Sequence, residues 1–340
     1  MRVHGKDYQA VCWDQRKQAV CWIEQRGLPH RFEIMHSKQP EDVARAIETM
    51  AVRGAPTIGA TAAFGLALAW QVDQDRFFEH WLPRFRRTRP TAVNLFHACD
   101  AMEQAAAQQP SATQMIELAE QYAEQEVQAN RIMGEIMAEY LAVGQRRILT
   151  HCNAGWLAAV DWGTATAGIY HLHRAGESPF VWVDETRPRL QGARLTAWEL
   201  QQEGVHCCIQ PDGAAAWAMA RGKVDAIVVG ADRIACNGDV ANKIGTYALS
   251  LAAREHDVPM YVVAPSSTFD AHIGSGKDIP IEQRHANEVL GMDGVDEQGV
   301  HRYIRIAADA PASNPAFDVT PYAHIRAIIS ERGVYKPPSV

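Results

Sequence analysis

The sequence predicts an α/β protein: a Rossmann-like, doubly wound parallel sheet in the C-terminal part, preceded by a smaller, mainly helical N-terminal domain. Three observations carry that expectation. A length of 340 residues suggests about two domains. Downstream of Arg147, short β-branched runs recur at intervals of about 20–35 residues with helical stretches between them, the rhythm of βα repeats. Each run is mostly apolar on successive positions rather than alternating, as in a parallel strand covered on both faces.

The N-terminal domain, residues 1–145, begins with short strands at 10–13 and 19–23. A helix follows over 41–50, and the run Val52-Arg53-Gly54-Ala55-Pro56 breaks it. A small-residue helix runs from about 57 to 70. Its apolar core spans about 13 residues against the roughly 20 that cross a bilayer, so it reads as a buried helix rather than a membrane span. After a linker over 86–91, helical patterns fill 94–143. The catalytic candidate domain, residues 146–340, then supplies strands at 147–150, 180–183, 206–209, 224–229 and 260–263. No internal repeat and no low-complexity tract interrupts the chain.

Composition narrows the class. Hydrophobic residues make up 47% and charged residues 21%, which excludes a disordered, collagen-like or coiled-coil chain. A net charge of -7 gives no basic field for nucleic acid or anionic membrane. The N-terminus has no apolar signal region. The seven cysteines lack CxxC spacing, which fits neither a disulfide framework nor a zinc ribbon. A cytoplasmic protein is the expectation.

Ligands of open parallel sheets bind beyond the carboxyl ends of the strands, and that rule picks out particular residues. The first strand runs into Thr150-His151-Cys152-Asn153-Ala154-Gly155, the second into 184–192, the fourth into Gly230-Ala231-Asp232-Arg233-Ile234 and the fifth into Ala264-Pro265-Ser266-Ser267-Thr268. Cys152 precedes a Gly-containing turn into an expected helix, where amides and dipole would favour a thiolate; the alternative is a small buried hydrophobe. Asp232 follows an apolar run, where poor solvation would raise its pKa and suit a general acid; the alternative is a helix N-cap or a partner for Arg233 or Lys243. Arg53 and Gly54 stand before a helix, a favourable place for an anion. Asn242-Lys243-Ile244-Gly245-Thr246 offers an ammonium at another expected helix start, and Arg89 adds a third cation. Gly274-Ser275-Gly276-Lys277-Asp278 is only a fragment of a phosphate loop. His171 and His173, two apart on a helix, point away from each other and give no metal pair.

These segments resemble the methylthioribose-1-phosphate isomerases, aldose–ketose isomerases of methionine salvage in the initiation-factor 2B alpha/beta/delta-like family. The resemblance lies in VRGAPTIGATAAFG, RPTAVNL, ILTHCNAG, DETRPRLQGARLTAWEL, GADRIACNGDVANKIGTYALSLAA, VAPSSTFD, IPIEQR and NPAFDVTP. It implies Cys152 and Asp232 as the catalytic pair, and substrate contacts from Arg53, Gly54, Ala55, Arg89, Gln191, Asn242 and Lys243. It further implies a homodimer acting on a small sugar 1-phosphate, with no cofactor and no metal. Trp156, the stretch 160–162 and the segment 211–215 depart from the family pattern. Relatives include 5-deoxyribose-1-phosphate and ribose-1,5-bisphosphate isomerases, and non-catalytic regulatory subunits of the initiation-factor exchange complex. Closure of the helical domain over the sheet rim is the arrangement the chemistry requires, because a raised Asp pKa needs burial.

Overall fold

The computed structural model describes residues 1–90, 92–142, 144, 146–296 and 300–336. Thr91 of the expected linker, Val143 at the end of the expected helical run and residue 145 at the expected domain boundary lie outside the described residues.

After a hairpin of two-residue strands, Arg2–Val3 with Lys6–Asp7, the N-terminal part has three antiparallel strands, Val11–Asp14 (β1), Ala19–Ile23 (β2) and Ile34–Ser37 (β3). Pro40 in the first turn starts α1 (Pro40–Glu48), where its missing N–H costs nothing. The next helix, α2 (Ala55–Val72), is apolar all round and accordingly sits inside the fold, although its length and composition would let it cross a membrane. Gly65 lets the Phe85 ring lie against this helix, since a Cβ there would overlap the ring. The helical run expected over 94–143 is two helices, α3 (Val93–Ala106) and α4 (Ala112–Ala142). Pro110 separates them, because its fixed φ and missing donor end a helix. Ser111 then opens α4 with its backbone N–H and hydroxyl both donating to Gln114 Oε1, at 2.8 and 3.0 Å.

The C-terminal part is built on a seven-stranded sheet. In chain order the strands and helices that build this sheet and flank the crevice are β4 (Arg147–Thr150), α5 (Ala167–Arg174), β5 (Phe180–Asp184), α6 (Ala197–Gln202), β6 (His206–Gln210), α7 (Ala214–Ala220) and β7 (Ala226–Val229). Then come β8 (Arg233–Ala235), β9 (Val240–Lys243), α8 (Thr246–Glu255), β10 (Met260–Val263), β11 (Phe317–Thr320), β12 (Ala327–Ser330) and β13 (Gly333–Tyr335). The large sheet has the order β13-β12-β10-β7-β4-β5-β6. It is parallel throughout except for the β12–β13 hairpin. The expected doubly wound sheet is therefore present. The chain starts in the middle at β4, winds outward through β5 and β6, returns to β7 and winds outward the other way. The direction reverses between β4 and β7, and that is where such sheets leave a crevice.

A second, four-stranded sheet contains β8, β9 and β11 with the short strand Phe269–Asp270. It corrects one expectation. Lys243 closes a strand rather than opening a helix; Gly245, at φ 106, makes the turn, and α8 begins only at Thr246.

Candidate active site

Thr150 ends β4, and its hydroxyl donates to the Val228 carbonyl at 2.8 Å, fastening the two strands on either side of the crevice. The chain then turns sharply: Cys152 has φ 65, a conformation that a side chain bearing Cβ adopts only when the surroundings impose it. The surroundings are two threonines. Cys152 N–H donates to Thr186 Oγ1 at 2.8 Å, and Thr196 Oγ1 donates to the Cys152 carbonyl at 2.6 Å. Thr186 is itself held by Asp212, whose carboxylate accepts from Thr186 N–H at 2.7 Å and Arg187 N–H at 2.8 Å. The polar run after the second strand thus serves to present the thiol. The α-helix expected after Cys152 is not there: Trp156–Ala158 is a single 3-10 turn, and the next α-helix starts at Ala167. The dipole of a helix following Cys152 is therefore not what acts on this thiol.

Asp232 follows β7, one strand across the crevice. It is neither a helix N-cap nor a partner of the adjacent basic residue, because the chain continues into β8 and Arg233 pairs with Asp270 at 3.2 Å. By accessible area Asp232 counts as exposed, but what it faces is the interior of the cavity. Protein atoms enclose it, and that burial pushes its carboxyl above the usual range against the opposing pull of Lys243, Arg53 and Arg89.

The opposite wall comes from the helical part. Gly54, at φ 91, caps α2 and lies so close to Ala158 that a Cβ would overlap its backbone. This contact brings Arg53 and Ala55 to the cavity. Arg53 donates through both terminal nitrogens to Asn153, to the side-chain oxygen and, at 3.0 Å, to the backbone carbonyl. Arg89 faces the same space, and burial holds its guanidinium below the usual range. Lys243 donates to the Ala316 carbonyl at 3.2 Å and lies 4.9 Å from the centre of the Phe317 ring.

One cavity gathers every residue the sequence singled out: Cys152 and Asp232, then Arg53, Gly54 and Ala55, then Arg89, Gln191, Asn242 and Lys243. Sequence reasoning left open whether the cations converge, and they do. It missed the apolar lining from Met50, Ile58, Ile279, Pro280 and Phe317; the IPIEQR and NPAFDVTP stretches were the available signal. It also missed Asn153, the neighbour of Cys152 that holds Arg53. The departures from the family pattern at Trp156 and Val160 are fully buried and do not line the cavity.

His151 lies under the site, almost wholly buried, with Nδ1 at 3.0 Å from Asp184 and Nε2 donating to the Ile244 carbonyl at 2.9 Å. Burial alone would lower its pKa and raise that of Asp184; the carboxylate beside it wins for the histidine, which is raised. Both ring nitrogens face acceptors, so we assign the pair as imidazolium and carboxylate. His151, Asp184 and Asp212 are also the one grouping among the described residues with metal-like spacing. Their donor atoms are committed elsewhere: Asp212 to two backbone amides, and Asp184 to His151 and to Gln210 Nε2 at 3.0 Å. The arrangement fits a hydrogen-bonded brace beneath the Cys152 turn.

The initiation factor 2 subunit family matches residues 51–337. A putative methylthioribose-1-phosphate isomerase of Pyrococcus furiosus is 46% identical over 96% of this chain and 92% of its own. A methylthioribose-1-phosphate isomerase of Acidiphilium cryptum is 47% identical over 98% of this chain and 94% of its own. Among solved structures, a 5-methylthioribose 1-phosphate isomerase from Pyrococcus horikoshii superposes with a TM-score of 0.88 at 44% identity, covering 98% of this chain and 94% of that one. The delta subunit of translation initiation factor eIF-2B from A. fulgidus gives 0.83 at 39% identity, covering 98% and 97%.

Proposed function

Because the chain belongs to the initiation factor 2 subunit family, and its relatives at 44–47% identity over nearly full length are named methylthioribose-1-phosphate isomerases, we propose that it converts 5-methylthioribose 1-phosphate into 5-methylthioribulose 1-phosphate. The observation that carries this reading is the facing of Cys152 and Asp232 across the switch point of the sheet, in one cavity with Arg53, Arg89 and Lys243.

The substrate is a furanose whose anomeric oxygen carries phosphate, so the ring cannot open spontaneously to a free aldehyde. The cations hold the phosphate in place. Asp232, kept protonated by its burial, gives its proton to the ring oxygen as the bond from that oxygen to C1 breaks. Cys152 Sγ takes the proton from C2, which leaves an enediol-like intermediate, and returns it to C1. The C2 hydroxyl proton goes to the Asp232 carboxylate, so C2 becomes the ketone and Asp232 is protonated again. Turnover accordingly falls as pH rises through the raised pKa of Asp232, because its acid form is then lost.

The reading extends to a cytoplasmic homodimer in methionine salvage; seven free thiols suit a reducing compartment. A second reading is favoured by the likeness to the initiation-factor subunit: a regulatory subunit that binds a sugar phosphate without turning it over. Following ketose formation by the purified protein in deuterated water tests both. Conversion supports the isomerase, and binding without conversion supports the subunit. Deuterium at C1 of the product excludes a pure hydride shift from C2 to C1.

A further inference from the structure

Glu199, on α6, is a fully buried carboxylate that touches neither Cys152 nor the cavity. Its four hydrogen-bond partners are all donors. Its Oε1 accepts from Asn153 Nδ2 at 2.9 Å and Leu157 N–H at 3.2 Å; its Oε2 accepts from Trp156 N–H at 2.9 Å and the Tyr170 hydroxyl at 3.5 Å. The chain makes room for it with Gly155, where a Cβ would overlap Oε2. A buried carboxylate of this kind is costly unless its hydrogen bonds are filled, and burial pushes it up to about 7.

What this arrangement fixes is the direction of one amide. Thr196 Oγ1 spends its proton on the Cys152 carbonyl, so it accepts from Asn153 Nδ2, at 3.1 Å. Both hydrogens of the Asn153 amide are therefore committed, one to Thr196 and one to Glu199, and Oδ1 is left facing Arg53. The reversed amide would set an oxygen against the Glu199 carboxylate and an NH2 against the guanidinium, which is unfavourable at both ends. Resting on the reading of Arg53 as a phosphate contact, we propose that Glu199 is a positioning residue that aims Arg53 at the substrate phosphate through Asn153. The requirement is its ionised form, which only accepts, whereas a glutamine would present two donors to a ring of donors.

The test is a double-mutant cycle. Glu199→Gln in the wild-type background is expected to raise KM about tenfold or more, with a smaller change in kcat, as for loss of a charge-assisted contact to bound substrate. In an Arg53→Met background, where nothing remains to be aimed, the same substitution leaves KM unchanged. An equal rise in both backgrounds, or no rise in either, overturns the proposal. If Glu199→Gln fails to fold, Asn153→Ala takes its place, because it cuts the same relay while leaving the Trp156 and Leu157 amides on Glu199. The Arg53→Met control separates the two layers. A KM unchanged by Arg53→Met alone overturns the phosphate reading of Arg53, and the relay with it; a raised KM without coupling to Glu199 overturns the relay only.

Discussion

The cavity has two walls made by different means. Cys152 and Asp232 stand at the ends of β4 and β7, neighbours in one parallel sheet. Strand pairing sets their separation, and the backbone at Cys152 is held out of its preferred conformation by Thr186 and Thr196. Arg53 and Arg89 come from a helix entrance and a loop of the helical part, and they reach the cavity through side chains that other residues must hold. In the proposed reading the reacting pair is on the rigid wall, while two of the three cations, Arg53 and Arg89, are on the wall assembled by tertiary contact; Lys243, at the end of β9, is the third. Chemistry that moves protons between adjacent carbons needs fixed distances, whereas a phosphate needs only converging charge.

Breaking the rigid wall should do the most damage. Cys152→Ser keeps size and hydrogen bonding but loses the thiol, and kcat should fall by about 1000-fold with KM little changed; near wild-type turnover in steady-state assays would remove the thiol from the mechanism. The contact between the walls comes next. Gly54→Ala forces a Cβ onto Ala158 at a positive φ, and should cost about 1–3 kcal/mol in denaturant unfolding together with a raised KM. Unchanged stability would mean the walls do not depend on that approach. The apolar lining should show as specificity: kcat/KM for the 5-methylthio 1-phosphate should exceed that for the 5-hydroxy form by about tenfold or more, with the 5-deoxy form between. Equal values across the three would take that lining out of substrate choice.

The smallest effect concerns stability away from both walls. Glu126 on α4 carries a buried Oε2 without a partner among the described residues, and receives only a 3.4 Å bond from Asn94. Burial pushes its carboxyl up to about 7. A carboxyl raised on folding contributes stability that is full below its unfolded pKa and is lost as pH rises through its folded one. Glu126→Gln has no such loss. Relative to wild type, its unfolding free energy should therefore improve by about 1–3 kcal/mol between pH 5 and pH 8; a constant difference would contradict the burial of that charge.

The rigid wall was also the more legible one. The run at 260–263 is apolar and buried along its length and the run at 147–150 is buried from Ile148 on, and for both the limits in the sequence and in the sheet coincide. The rule that ligands sit beyond strand ends then led to Cys152 and Asp232. The second sheet escaped notice although Asn237-Gly238 between β8 and β9 is a hairpin signal, because its strands are only three and four residues long. The closing strands β12 and β13 were hidden the same way, as a few apolar residues beside a charged turn. Asn153 and Glu199 act through contacts between segments 46 residues apart in sequence, which no local pattern encodes. Nor could spacing show that Arg53, Arg89 and Lys243 meet, since they come from three separate stretches of chain.

The division between the walls is tested most directly by measuring kcat and KM for Asp232→Asn and Arg89→Ala on 5-methylthioribose 1-phosphate under one set of conditions. Asp232→Asn is expected to lose about 1000-fold in kcat with KM within a few-fold. Arg89→Ala is expected to raise KM about 10- to 100-fold, with the smaller change in kcat. The opposite assignment, or equal losses in the same constant for both variants, would contradict that division.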